Sequence, residues 1–199
     1  MPAPSPASGA DALVSFAVEL AGSPIPDTAK IFSVHAGSAA GRPATASVTL
    51  LASLADLPAL VASPWLAPGR PARIAAGYAG QNQTIFTGRI ARLVLASPAG
   101  SGAITLAVEC TGPATAAVAI ATPVLSLTLG QDVLNFQLTR ASARSGLVRC
   151  AGSSAVRVGD RVTLAGFGAG FDGDLPVRGL THEIRDGLWT TTLELRALA

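Results

Sequence analysis

From Val14 onward, the apolar side chains of this chain recur at every second position rather than every third or fourth. In DALVSFAVEL, Val14, Phe16, Val18 and Leu20 share one face while Ser15, Ala17 and Glu19 share the other, the spacing a half-buried strand requires. The same alternation predicts strands over 31–35, 44–51, 71–78, 84–96 and 103–110, and again over 124–129, 133–139, 160–167, 176–184 and 188–196. Gly, Pro, Ser and Asn clusters separate them, so the chain reads as all-β, built from small barrels or sandwiches. One short helix interrupts the pattern. In DLPALVAS (56–63), Asp56 reads as the N-cap and Pro58 lies in the first turn, where its missing N–H does no harm.

An internal repeat narrows this further. PGRPARIAAGY (68–78) matches VGDRVTLAGF (158–167): Gly69 meets Gly159, Ile74 meets Leu164, and Gly77–Tyr78 meets Gly166–Phe167. Downstream, Phe86, Gly88 and Leu93 fall opposite Val177, Gly179 and Ile184. GAITLAVE (102–109) then matches GLWTTTLE (187–194). The expected organisation is a flexible arm over 1–10, a first β-barrel over 11–112, a linker over 113–122 and a second, similar barrel over 123–199. Two copies of one unit per chain let n chains present 2n nearly equivalent surfaces, so a trimer would match a sixfold partner. The repeat itself does not supply the number three.

Composition excludes several classes. Of 199 residues 49% are hydrophobic and only 13% charged, which is unlike a disordered chain. The formal net charge is +2 and the 14 basic residues are scattered, so nucleic-acid read-out is not expected. The longest uncharged stretch, Cys110 to Gln131, is broken by Pro113, Pro123, Gly112 and Gly130, so no membrane span is expected. Met1 to Leu20 lacks a basic segment and carries Asp11 and Glu19, unlike a secretory signal, which points to synthesis in the cytoplasm. Cys110 and Cys150 lack metal-type spacing and read as buried, reduced thiols at strand ends.

Nothing in the chain assembles into a recognisable catalytic set. His35 and His182 have no metal-type spacing, and Glu183 beside His182 belongs to the opposite strand face. His182 therefore reads as a structural hydrogen-bonding residue. Asp172 and Asp174 share a loop but fall short of a calcium ligand set. GAGFDG (168–173) satisfies a dinucleotide fingerprint, yet Asp174, Leu175 and Pro176 lead into another strand rather than the helix a pyrophosphate needs. No metal, cofactor or enzymatic activity is expected, and a hydrolase remains only as the weakest alternative. The nine aromatics read as core, from their alternating strand positions.

The stretch PGRPARIAAGYAGQNQTIFTGRI resembles the signature of phage and contractile-injection-system hub proteins, the group with the late control D proteins and the hub portion of VgrG spikes. Its marks here are Gly69, Gly77, Tyr78, Phe86 and Gly88. VRVGDRVTLAGFGAGFDGDLPVRGLTHEIRDGLWTTTLEL is similar to the family's second barrel, through Gly159, Asp160, Gly166, Phe171, Gly173, His182, Gly187 and Trp189. The resemblance implies a structural baseplate hub: a homotrimer adapting a hexameric tail tube protein to a trimeric spike protein, among other baseplate proteins, in an assembled tail or injection particle. A tube-end or tube-initiator protein of the same fold is the alternative. Better-known members insert a domain between the barrels, where this chain has only 113–122. So apolar and weakly charged a chain is best explained if much surface is buried between subunits. The apolar strands over 103–129 are the expected interface, with Ala117 and Val118 as candidate contacts.

Overall fold

The computed structural model describes residues 13–26, 29–53, 55–97, 104–116, 122–141 and 143–197. Among them the strands are β1 (Val14–Leu20), β2 (Ser23–Pro24), β3 (Lys30–Ala39), β4 (Pro43–Ala52), β5 (Pro71–Tyr78), β6 (Gln83–Ala96) and β7 (Ile104–Ala114). A second series follows: β8 (Pro123–Thr128), β9 (Val133–Arg140), β10 (Arg144–Ala151), β11 (Arg161–Ala165), β12 (Gly173–Arg185) and β13 (Leu188–Arg196). Every strand expected from alternation is present. Two were not anticipated: the two-residue β2, and β10, whose alternation is carried only by Val148 and Cys150. Gly146 within β10 is demanded by its neighbour, since a Cβ there would lie 2.1 Å from the Gln137 carbonyl oxygen of β9.

The helix is shorter than expected, α1 spanning Leu57–Val61, and Asp56 is its N-cap by position alone. Asp56 is helical itself and makes no side-chain cap; the Ser53 hydroxyl instead accepts the Asp56 N–H at 3.1 Å and donates to its carboxylate at 2.6 Å. Pro64 opens a 3₁₀ turn, Pro64–Leu66, in which Leu66 enters the core. Among the described residues no helix is long and apolar enough to cross a membrane.

The strands form one continuous, mainly antiparallel sheet in the order β2-β1-β5-β6-β7-β4-β3-β12-β13-β10-β9, with β11 and β8 joined beside β12. The ladder is open, its main path ending at β2 and β9 and its branch at β8, rather than two closed rings. Within it the strand order repeats: β1-β5-β6-β7-β4-β3 in the first half matches β8-β11-β12-β13-β10-β9 in the second. Hydrogen bonds repeat with it. The Gly69 N–H donates to Ile90 O and the Ile90 N–H to Arg70 O, as the Gly159 N–H donates to Val177 O and the Val177 N–H to Asp160 O. So do the bulges. Ala91 is skipped in pairing β6 to β7 as Arg178 is in pairing β12 to β13, and Phe32 is skipped between β3 and β4 as Leu134 is between β9 and β10.

This register corrects the match read from sequence along β6 and β12. Arg92 sits opposite Glu109 and Gly179 opposite Glu194, so Gly179 corresponds to Arg92 and not to Gly88, four residues earlier. A second departure concerns the first strand of each half, since β1 runs antiparallel to β5 whereas β8 runs parallel to β11.

Two apolar clusters lie on the buried face. One gathers Leu20, Val48, Leu50, Ile74, Phe86, Leu106 and Val108 of the first half, and takes in Ile184 and Trp189 from the second. The other gathers Leu125, Leu127, Val148, Val162, Leu164, Leu175, Leu193 and Leu195. The halves meet where β3 pairs antiparallel with the C-terminal part of β12, from Gly179↔Ala39 to Arg185↔Ser33. The expectation that aromatics lie in the core fails for Phe16 and Phe136. Both are exposed, and Phe136 sits on β9, a strand that has a neighbour on one side only and so can bury little of its alternating face.

Candidate functional site

The residues of the hub-like signature divide between turns, close approaches and the seam between the halves. Gly69, Gly159, Gly166, Gly173 and Gly187 all have positive φ, which a side chain resists. Asp186 and Gly187, at φ 51° and 74°, form the two-residue turn of the β12–β13 hairpin. Gly77 and Gly88 serve a different need. A Cβ at Gly77 would fall 2.0 Å from the Gln81 carbonyl oxygen, and one at Gly88 2.5 Å from the Thr111 carbonyl oxygen and 2.7 Å from the Phe86 ring.

Of the acidic residues singled out in the sequence, Asp160 and Asp172 hold turns and Asp174 ties β12 to its cross-strand partner on β11. Asp160 is buried, and its carboxylate accepts the Arg157 N–H at 2.7 Å. The Asp172 carboxylate accepts the Phe167 N–H at 2.7 Å, and that of Asp174 accepts the Thr163 hydroxyl at 2.7 Å. Phe171 lends its carbonyl to the Arg144 guanidinium at 3.1 Å while its own N–H donates to Gly168 O. The GAGFDG run is thus a hydrogen-bonded turn whose last residue opens β12.

At the seam, Tyr78 of the first half packs on Trp189 of the second, and Trp189 in turn lies beside His182. The Tyr78 and Trp189 ring centroids are 5.4 Å apart, those of His182 and Trp189 5.8 Å. His182 is 3% exposed, and its Nδ1 lies 2.9 Å from Thr191 Oγ1. Burial holds its imidazolium off, lowering the pKa to about 4. Burial also pushes the Tyr78 phenol up, against a hydrogen bond at the Gly152 backbone that pulls it down. Glu183 lies on the other strand face, as alternation requires, and its carboxylate accepts from Arg149 at 2.7 Å.

A cleft of about 330 Å³ opens beside this seam, lined from both halves by Ser38, Phe86, Thr115, Val156, Val158, Leu180 and His182 among others. Among the described residues its titratable lining is His182 and Arg157, with no carboxylate to work with the imidazole. What the arrangement does chemically is pack: a neutral histidine, an indole and a phenol tie one half to the other.

Cys110 and Cys150 are free and buried. Burial pushes their thiols up to about 11 and about 12, Cys150 also feeling Asp132. Cys110 lies within β7 rather than at a strand end. Ala117 and Val118, the expected interface contacts, lie outside the described residues. Sequence reasoning passed over the exposed apolar side chains that the fold leaves on several strands, among them Val94 and Leu95 on β6 and Leu134 and Phe136 on β9. Alternation carried no warning at Leu95, Leu134 and Phe136, which fall at every second position like core residues, whereas Val94 falls on the face opposite Leu95.

A family model for the Alg8 N-terminal domain matches residues 10–121, which include β1 to β7. The chain belongs to the Alg8 N-terminal domain family. No curated protein sequence matches the chain significantly. Solved structures do resemble it in fold. A tail protein from Neisseria meningitidis MC58 superimposes with a TM-score of 0.65 at 8% identity, over 92% of this chain and 96% of that one. The 43 kDa tail protein of prophage MuSo2 from Shewanella oneidensis gives 0.65 at 7% identity, over 92% and 98%. The E. coli c3393 protein, a component of the type VI secretion system with structural similarity to the T4 bacteriophage tail proteins gp27 and gp5, gives 0.59 at 10% identity, over 92% and 77%. The likeness is one of fold, shared with phage tail proteins and a type VI secretion component.

Proposed function

We propose that this protein is a structural hub of a phage tail or phage-tail-like contractile injection particle. It adapts a hexameric tail tube to a trimeric spike as a homotrimer and has no enzymatic role. The observation that carries the reading is the duplication of strand order, hydrogen bonds and bulges within one chain, which gives three copies six nearly equivalent units. The shared fold with tail proteins and a type VI secretion component supports it. In this reading residues 11–112 and 123–199 are two barrel-like units, joined by 113–122 and preceded by an arm over 1–10. Each unit's curved sheet closes against its neighbours in the ring rather than on itself. The acidic residues bound up in turns and the seam built from packed rings fit a part that bears load rather than turns over substrate.

Native mass spectrometry of the full chain, alone and with the tube and spike proteins of its own particle, tests the reading. The expected result is a trimer that binds both. A chain that stays monomeric alone and with each partner overturns it.

A further inference from the structure

The duplication leaves two strand edges unmatched. Within the chain, the outer edge of β3 pairs with the C-terminal part of β12. The strand equivalent to β3 in the second half is β9, and its outer edge has no partner among the described residues. The strand equivalent to β12 in the first half is β6; β5 pairs with it only as far as Arg89, so the edge from Ala91 to Ala96 is likewise open. One half thus displays a socket, and the other the edge that fits it.

Burial distinguishes the used joint from the unused one. At β3–β12, Val34 is 1% exposed, Ala36 2%, His182 3% and Ile184 3%. The ladder equates Val34 with Phe136, through their partners Val48 and Val148, and equates His182 with Leu95, through Thr191 and Leu106. Those equivalents are 46% and 53% exposed. An edge strand bearing large apolar groups, with Arg140 its sole charge, is what soluble proteins avoid unless another strand covers it.

We infer that β9 of one copy of this chain adds antiparallel to the Ala91–Ala96 edge of β6 in the next, rebuilding between chains the joint that β3 and β12 make within one. The register follows from Thr181↔Gly37 and His182↔Ala36, which become Val94↔Thr139 and Leu95↔Leu138 between copies. Leu95, Leu138 and Phe136 then lie on one face and bury one another. The contact joins two different surfaces of the same chain, so it repeats head to tail and closes as a ring, with the sheet running unbroken through every copy. The inference rests on the reading above that copies of this chain assemble with one another, and adds which edges meet and in what register.

Paired cysteines test it. In the joint already made, a Cβ at Gly37 would lie 3.5 Å from Thr181 Oγ1, so the equivalent positions are close enough to link. The full chain carrying both Val94→Cys and Thr139→Cys is expected to give covalent dimers and larger species under mild oxidation. Each single variant, and the out-of-register pair Val94→Cys with Leu134→Cys, should not. Leu95→Asp, at an exposed site, should leave the chain folded by circular dichroism but monomeric in native mass spectrometry. If the wild-type chain assembles while the Val94→Cys/Thr139→Cys pair forms no link, or Leu95→Asp leaves the assembly intact, the edge proposal is overturned and the hub reading survives. A wild-type chain that stays monomeric alone and with tube and spike proteins overturns both.

Discussion

Gly152 lies against the face of the Trp189 indole: a Cβ at Gly152 would fall 2.0 Å from Cδ2 and 2.3 Å from Cγ, while the Gly152 N–H donates to the Trp189 carbonyl at 2.9 Å. The indole, 4% exposed, belongs to the first half's apolar cluster although it comes from β13, so this glycine fixes how a second-half ring enters the first-half core.

Gly152→Ala should therefore destabilise the protein, because the ring has no free direction in which to move and overpacking of a core costs about 1–3 kcal/mol. Gly37→Ala is the contrasting substitution. There the added carbon meets Thr181 Oγ1 at 3.5 Å, an ordinary contact, in a mid-strand position where glycine costs about 0.5–1 kcal/mol relative to alanine. Urea unfolding should show the midpoint falling for Gly152→Ala and holding or rising for Gly37→Ala. Equal losses at both sites would mean that the indole contact is not what selects glycine.

The same tolerance of strands to even shifts explains what the sequence could and could not reveal. Alternation located β1, β4, β5 and β13 almost to the residue, because an apolar face must point inward at every second position. But moving one strand by four residues leaves every side chain on its original face, so Gly88 matched Gly179 as convincingly as the true equivalent, Arg92, would have. The paired hydrogen bonds at Ile90 and Val177, and the register of Arg92 opposite Glu109 and Gly179 opposite Glu194, decide between them. His182 and Trp189 were visible as residues of a familiar pattern, and their place on a barrel-type strand was legible. The packing of Trp189 on Tyr78 was not, since it depends on β3 pairing with β12 across more than half the chain. Phe136 shows the converse limit. Its spacing is that of a core residue, and what leaves it in solvent is the lack of a second neighbour for β9, which no local pattern encodes.

Gly77 and Gly88 extend the argument to the signature itself. Both oppose backbone oxygens, Gln81 at 2.0 Å and Thr111 at 2.5 Å, and a backbone cannot swing aside as a side chain can. Gly77→Ala should open the β5–β6 turn, which Ser15 pins through the Gly80 N–H at 3.0 Å and Asn82 at 2.7 Å. Amide exchange over residues 78–83 should quicken in the variant while the β12–β13 hairpin keeps its protection. Unchanged exchange at the turn would remove close approach as the reason for this glycine.

His182 makes stability depend on pH in a definite direction. Its pKa is lowered by burial to about 4, against about 6.5 for a free histidine, so between those values the unfolded chain binds a proton that the folded chain refuses. The contribution is complete above about pH 6.5 and is lost as pH falls toward 4, at about 1.4 kcal/mol per unit at the steepest. Urea titrations at pH 7, 6 and 5 should show stability falling with pH, and His182→Gln should flatten that fall whatever it costs at pH 7. A slope unchanged by the substitution would assign the acid sensitivity to other groups.

Cys110 and Cys150 report on whether the two clusters open separately. Each is at most 2% exposed, and burial holds both thiols protonated at neutral pH, so neither is a competent nucleophile in the folded chain. Cys110 belongs to the first cluster and Cys150 to the second. The halves share the β3–β12 ladder, and Trp189 and Ile184 cross into the first cluster, so loss of one half strips support from the other. Alkylation by a small maleimide in rising urea, read by mass spectrometry of the peptides, should therefore label both thiols over one transition and neither before it. Labelling of Cys150 at a clearly lower urea concentration than Cys110 would show that the second half opens alone and that the seam does not couple the two.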